Sequence, residues 1–361
     1  MSNIAFFRVD SAHCMGVGHV MRCIALADGL SKNDWDCHFI CKQHKGSIHK
    51  IIEQHGHGVS LLDIDSSFIG LSEYEGWVGS TQIDDAKASL SSIKHAANLL
   101  IVDHYGLDEV WEKLVKPKVG LIIVIDDLAN RAHACDILID SKYGRLGDDY
   151  LDYIDGSTVL LVGAQYCILR NEFPELIDLA KEKRKKTKKI KTILINFGGT
   201  DPKGYSELAF DMITNNFSEI DIEIVIGSNH SCLEKFKRNK SRNIRVHIDT
   251  EVMASIILRC DFAIGSYGGS SWERCLLGLP SIGILSADNQ KFIARSLHES
   301  GASKCINKEE LFDELHAILN GDFSWWKIMS QNAFNICDGK GVSRILSCIE
   351  GCNNGYNSIL R

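Results

Sequence analysis

The stretch Phe6-Phe7-Arg8-Val9-Asp10-Ser11-Ala12-His13-Cys14-Met15-Gly16-Val17-Gly18-His19-Val20-Met21-Arg22 decides how the chain is read. The apolar run from Ile4 to Val9 predicts a strand that feeds a loop with two glycines. A helical pattern follows at once, in Val20, Met21, Ile24, Ala25, Leu26 and Leu30. Glycines at a strand-to-helix turn let backbone approach a ligand, and the helix start offers free N–H groups to an anion. His19 and Arg22, three residues apart at that mouth, suggest acid–base work beside a phosphorylated substrate. Open α/β sheets place such chemistry outside the carboxyl ends of their strands.

Working outward, the rest of the chain repeats that grammar. Short apolar runs at Ile4–Val9, Cys37–Cys41, Val59–Leu62, Leu99–Asp103, Leu121–Ile125, Asp136–Ile139 and Val159–Val162 alternate with helical patterns at Gly46–His55, Thr81–Ala97 and Asp108–Val115. The alternation predicts parallel βαβ units. It restarts after Lys189, with strands expected at Thr192–Phe197, Ile222–Ile226, Ile244–Ile248, Phe262–Ile264 and Ser281–Ile284. Two doubly wound domains with a central cleft are therefore expected, over residues 1–170 and 190–345. The basic run Lys181 to Lys189 reads as a solvated helix end and interdomain connector within a linker, 171–189, and the tail beyond Glu350 as loop. A polyanion-binding role for that run is disfavoured because no aromatic residues interleave it.

Composition narrows the function. The 361 residues are 45% hydrophobic, with four prolines, which suits packed cores rather than disorder. The net charge of −7 argues against generic binding to nucleic acid or anionic membranes. No run approaches the ~20 apolar residues of a membrane span. Met1-Ser2-Asn3 leads directly into the first strand, so no signal peptide is expected. Thirteen cysteines without a Cys-x-x-Cys pair read as reduced thiols of a cytoplasmic protein. No metal or cofactor is called for, and His55-Gly56-His57-Gly58 reads as a helix-to-strand loop.

Three further segments carry candidate chemistry. Ile195-Asn196-Phe197-Gly198-Gly199-Thr200-Asp201-Pro202 is a strand ending in a glycine turn suited to a diphosphate or to close backbone contact. In Ile264 to Pro280, Gly268 and Gly269 precede Ser270 and Ser271, either of which could cap a helix whose free N–H groups would hold a pyrophosphate. Glu273 lies early in that helix and could accept from a ribose. Asp103, His104 and Tyr105 follow a buried strand and could face the same opening as His19; His104 is an alternative base or a structural histidine. Asp126-Asp127 reads as a capping or loop-bonding pair rather than a metal site.

Together these residues resemble one family, the UDP-2,4-diacetamido-2,4,6-trideoxy-β-L-altropyranose hydrolases of pseudaminic acid biosynthesis. The resemblance runs through Arg8-Val9-Asp10-Ser11, Gly16-x-Gly18-His19-x-x-Arg22, Val102-Asp103-His104-Tyr105-Gly106, Asp126-Asp127 and Cys135-Asp136-Ile137-Leu138. It continues in Leu169-Arg170-x-x-Phe173, Phe197-Gly198-Gly199-Thr200-Asp201, the Gly268–Pro280 segment, Asp288-Asn289-Gln290 and Asp338-Gly339-x-Gly341-x-x-Arg344. It implies a GT-B-like fold and metal-independent removal of UDP from a UDP-sugar, with inversion. It further implies His19 as the catalytic histidine, with Tyr105 and Asn289 placing sugar and water. Arg8, Asp10, Gly16, Gly18, Arg22, Gly198, Gly199, Thr200, Gly268, Gly269, Ser270, Ser271, Glu273 and Gln290 would contact substrate. A monomer is favoured, and the rival reading is a GT-B glycosyltransferase using a UDP-sugar donor. That rival would call for exposed apolar or basic residues near the N-terminal site, and none is evident in the sequence. The chain departs from the family pattern at Asp140-Ser141-Lys142-Tyr143 and at Gly163-Ala164-Gln165-Tyr166.

Overall fold

The computed structural model describes residues 3–93, 97–239 and 241–359 and divides the chain into two units. The first joins the chain up to Ile168 to the segment from Lys340; the second runs from Leu169 to Gly339. In the first unit the strands are β1 (Asn3–Val9), β2 (Trp35–Lys42), β3 (Gly58–Leu62), β4 (Ala97–Asp103), β5 (Val119–Ile125), β6 (Ile137–Asp140) and β7 (Val159–Val162). They form one parallel sheet in the order β3-β2-β1-β4-β5-β6-β7. Phe7, Val9, Leu99 and Ile101 pack with Ile24 and Leu26 on one face. Phe6, Leu100 and Val102 pack with Trp111 and Val115 on the other. Helices on both faces explain why the strands read as nearly unbroken apolar runs.

The second unit repeats the plan with β8 (Thr192–Asn196), β9 (Asp221–Ile226), β10 (Ile244–Ile248), β11 (Phe262–Gly265), β12 (Ser281–Gly283) and β13 (Lys304–Cys305). Their order is β10-β9-β8-β11-β12-β13, all parallel. Ile193, Ile195, Phe210, Ile224, Phe262, Ile264 and Trp326 fill its core. In each sheet the winding direction reverses beside the first strand of the unit, so the ends of β1 and β4, and of β8 and β11, frame the crevice where such sheets bind ligands.

Several expectations need correction. The run from Lys181 is the helix end expected, in the helix Ile177–Lys186, but it is part of the second unit rather than a free linker. Arg184 is buried and donates to the carbonyls of Leu277, Cys260 and Ile257 at 3.1, 2.5 and 3.0 Å, and Lys183 pairs with Asp261 at 3.1 Å. The carbonyls of Ile257 and Cys260, at the end of the helix Met253–Arg259, lack intrahelical partners and take these donors instead. The segment after Glu350 is helix, not loop: Gly341–Ile359 is continuous, and Ile345 and Ile349 are buried in the first unit's core at helical spacing. Gly29 permits that seat, since a Cβ there would lie 2.7 Å from Val342 Cγ1.

Smaller differences are local. The helix expected over Thr81–Ala97 spans Gln82–Ser92, capped by the Thr81 hydroxyl accepting from Asp84 N, and Ala97 already opens β4. That expectation's stretch 94–96, like Met1-Ser2 and the tail's 360–361, lies outside the described residues. The short helix Glu73–Val78 and the two-residue β13 fall below the length at which periodicity shows. No described helix is long and apolar enough to cross a membrane.

Candidate active site

The first unit builds its site where β4 ends beside the helix Gly18–Ser31. His19 and Arg22 are three residues apart and so share a face of that helix. That face meets Asp103, the last residue of β4, whose carboxylate is fully buried. His19 Nδ1 lies 2.6 Å from Asp103 Oδ1, and Arg22 donates to both Asp103 oxygens through Nε and Nη2 at 2.6 Å each. Burial pushes the Asp103 carboxyl up, but the charges of Arg22 and His19 and their hydrogen bonds prevail and hold it well below the usual carboxylate range. An ionised carboxylate only accepts, so His19 donates from Nδ1. When the ring is neutral its Nε2 carries the lone pair, and no described residue bonds to it. With only 12% of the side chain exposed, the ring is held by Asp103 and still open at one edge.

Tyr105 completes the cluster. Its hydroxyl donates to Asp127 Oδ1 at 2.6 Å, while Arg22 Nη1 reaches Asp127 Oδ2 at 3.1 Å. The Tyr105 ring meets the edge of His19 at a centroid distance of 4.6 Å and stacks on Trp77 at 5.7 Å, with Tyr74 edge-on at 5.1 Å. Gly106 lets the Glu73–Val78 helix sit this close, because a Cβ there would fall 2.1 Å from the Tyr74 carbonyl. Asp103 faces His19 as expected, though as the partner of His19 and Arg22; Asp127, Trp77 and Lys142 complete or border the cluster without standing among the expected site residues. Lys142 Nζ donates to the Asp127 carbonyl, so one of the sequence departures borders the site. The available signal for Asp127 is its place just past a strand end, which does not single it out from Asp126 or Asp140.

Other expected contacts are structural. Arg8 is not a ligand contact: it is completely buried, bidentate to Asp85 at 3.0 and 2.8 Å, and 2.8 Å from Asp10. Asp10 is buried too and accepts from Lys42 N at 2.6 Å, with His104 Nε2 3.3 Å away. A parallel sheet covered on both faces leaves a strand arginine no route to solvent, so it is paired internally. His104 Nδ1 accepts from Gly106 N at 3.0 Å, which commits it to holding the loop rather than to acting as a base. Asp126 binds Leu128 N, Ala129 N, Arg131 and Tyr150, as the loop-bonding reading expected. Gly16 adopts φ +76°, and a Cβ on it or on Gly18 would meet nothing within 4 Å, so the loop before His19 is open. His55 and His57 both pair with Asp28, between the helix His49–Gln54 and β3. Among the described residues, no three His, Cys, Asp or Glu side chains are arranged to hold a metal.

The second unit gathers its candidates at the ends of β8, β11 and β12. Gly198, at φ +95°, faces open space, and Gly199 accepts from Gly227 N at 2.8 Å, tying the β8 and β9 loops together; Thr200 follows them. Gly268 and Gly269 also face open space. Ser270 and Ser271 do not cap the next helix: it starts at Ser270 with no side-chain cap, and both hydroxyls accept from Arg274 at 3.1 and 3.2 Å. Arg274 is buried beneath them, so the serines serve it and the helix start stays uncapped. Glu273 is partly exposed, and Arg170 Nη2 lies 3.8 Å from it. Burial pushes the Glu273 carboxyl up, only partly offset by Arg170 and Arg274. Gln290 accepts from Tyr267 N and Ser286 N, bracing the β11 and β12 loops, while Asn289 has a buried amide oxygen without a partner.

No family model matches the chain. It is 28% identical over 300 residues to the UDP-2,4-diacetamido-2,4,6-trideoxy-β-L-altropyranose hydrolase of Campylobacter jejuni, covering 82% of this chain and 96% of that one. It is 23% identical to the spore coat polysaccharide biosynthesis protein SpsG of Bacillus subtilis, over 94% of this chain and 96% of that one. An uncharacterized protein of Methanocaldococcus jannaschii is 26% identical over 78% of this chain, and the match spans only 55% of that relative's length. Among solved structures, MurG of Acinetobacter baumannii superposes with a TM-score of 0.65 at 13% identity, over 97% of this chain and all of that one. The chain is thus a GT-B-fold protein whose sequence is similar to the UDP-diacetamido-trideoxy-altropyranose hydrolase.

Proposed function

We propose that the protein hydrolyses UDP-2,4-diacetamido-2,4,6-trideoxy-β-L-altropyranose, or a closely related diacetamido UDP-sugar, at the anomeric C–O bond with inversion. The observation that carries this reading is His19, held through Nδ1 by Asp103 with Nε2 open. A water hydrogen-bonded to Nε2 attacks the anomeric carbon from the face opposite UDP and gives its proton to that nitrogen. The electrons of the C–O bond leave with UDP. A positioned base typically contributes ~10²–10⁴-fold. In the second unit, Glu273 accepts from the ribose, and uncapped backbone N–H groups at Ser270 and the Gly198–Thr200 turn take up the charge that UDP gains. Similarity to the Campylobacter hydrolase over most of both chains supports the choice of substrate.

Hydrolysis in oxygen-18 water with a chelator present tests the reading. The expected result is label in the inverted free sugar and none in UDP, with turnover abolished in His19→Ala while UDP affinity is kept. Label in UDP would mean P–O cleavage, and a His19→Ala variant at wild-type rate would remove the base. A second reading, transfer of the sugar to an acceptor, is favoured by one observation. Ile69 and Leu71, before the helix that carries Trp77, are 88% and 96% exposed, contrary to the expectation that the first unit shows no such residues. Product analysis in the presence of water alone separates the two, because a strict transferase leaves the UDP-sugar intact.

A further inference from the structure

Proton accounting at Tyr105 says what the site can recognise. A phenol has one hydrogen to donate and lone pairs to accept with. The Tyr105 hydrogen lies on Asp127 Oδ1 at 2.6 Å. Asp127 cannot return it, because Arg22 Nη1 at 3.1 Å and Lys142 Nζ at 3.9 Å favour its ionised form. Neither partner is free to turn away. Trp77 and Tyr74 pack against the Tyr105 ring, and His19 fixes its other edge. Tyr105 is buried at 6% exposure and the Asp127 side chain is 14% exposed, so the pair sits at the edge of the core, beside His19, with the carboxylate at its outer end.

We propose that Tyr105 is a hydrogen-bond acceptor toward the ligand, and that it selects a sugar presenting an N–H or O–H donor at that point. An amide-bearing sugar meets this requirement; an ester, ether or deoxy position does not. The proposal rests on the sugar-nucleotide reading of this site and adds the polarity of one contact. It assigns Asp127 a positioning role, since the carboxylate fixes which way the phenol proton points. A site built around a committed acceptor penalises a ligand lacking the donor, because the acceptor is then left unpaired.

Two measurements test it. The first compares kcat/KM for the diacetamido UDP-sugar with two analogues in which one acetamide N–H, at carbon 2 or carbon 4, is replaced by an ester oxygen. Wild type is expected to lose about 10-fold or more on one analogue. Tyr105→Phe is expected to lose a similar factor on the diamide and to treat diamide and ester alike. A Tyr105→Phe variant that keeps the wild-type preference overturns the proposal. The second measurement needs no substrate. The Tyr105 hydroxyl proton should give a slowly exchanging downfield NMR resonance, absent in Tyr105→Phe and displaced in Asp127→Asn. A resonance unmoved in Asp127→Asn overturns the proposal. Wild type inert toward both diamide and esters would sink the hydrolase reading instead, and the resonance would then decide the proton's place by itself.

Discussion

Replacing Asp103 with asparagine keeps its size and removes its charge, at the point where three hydrogen bonds of 2.6 Å converge. In the proposed reaction His19 gains a proton and becomes imidazolium next to that residue. Opposite unit charges with centres ~4 Å apart attract by ~4 kcal/mol at an effective dielectric constant of about 20, a factor of roughly 10³ in rate. Arg22 Nη2 lies 3.2 Å from His19 Nδ1, so in the variant its repulsion of the imidazolium is no longer opposed. An asparagine also has one oxygen for Arg22 Nε, Arg22 Nη2 and His19 together. Whichever way the amide turns, its NH₂ faces a donor, and in one orientation it forces the His19 proton onto Nε2. The expected outcome is kcat reduced by ~10²–10⁴, in line with loss of an oriented base. UDP release from the diacetamido UDP-sugar is the assay, with UDP affinity measured alongside as a control. A variant with intact UDP binding and kcat within about threefold of wild type would refute the dyad.

Other outcomes follow from the same geometry. Asp85→Ala leaves Arg8 buried without its bidentate partner and is expected to cost about 3–5 kcal/mol in urea unfolding; a loss below about 1 kcal/mol would mean the ion network relaxes freely. Gly106→Ala drives a Cβ toward the Tyr74 carbonyl, so the helix bearing Trp77 must shift, with a loss of ~1–3 kcal/mol and altered tryptophan fluorescence; unchanged emission and melting would contradict that contact. Glu273→Ala weakens UDP binding if the carboxylate accepts from the ribose. Because burial raises the Glu273 carboxyl, its accepting form is lost as pH falls through that raised value. Wild-type UDP affinity is therefore expected to decline at a higher pH than an exposed carboxylate would impose, and Glu273→Gln to flatten the profile in calorimetric titrations; identical profiles would remove Glu273 from the site.

The fold was legible because covered parallel sheets write themselves as apolar runs, and twelve of the thirteen strands among the described residues are long enough to show. His19 and Arg22 were legible because one helical turn keeps them together in sequence as well as in space. Asp103 and Asp127 join them from 84 and 105 residues away, through pairings that no local pattern records. Arg8 misled for the complementary reason: its charge sits in a motif beside the glycine loop, while its partner Asp85 arrives from a helix 77 residues on. Ser270 and Ser271 have the composition of a cap, but Arg274, one turn later and buried, claims both hydroxyls.

The return of Gly341–Ile359 to the first unit carries a consequence for the order of events during synthesis. Ile345 and Ile349 belong to the same apolar core as Ile24 and Leu26, on the helix that presents His19. That core stays incomplete until a segment made after the whole of the second unit has left the ribosome. At ~5–20 residues per second the delay is of the order of tens of seconds. Until then the first unit has an unfilled apolar groove along its first helix, and the second unit can finish folding before it does.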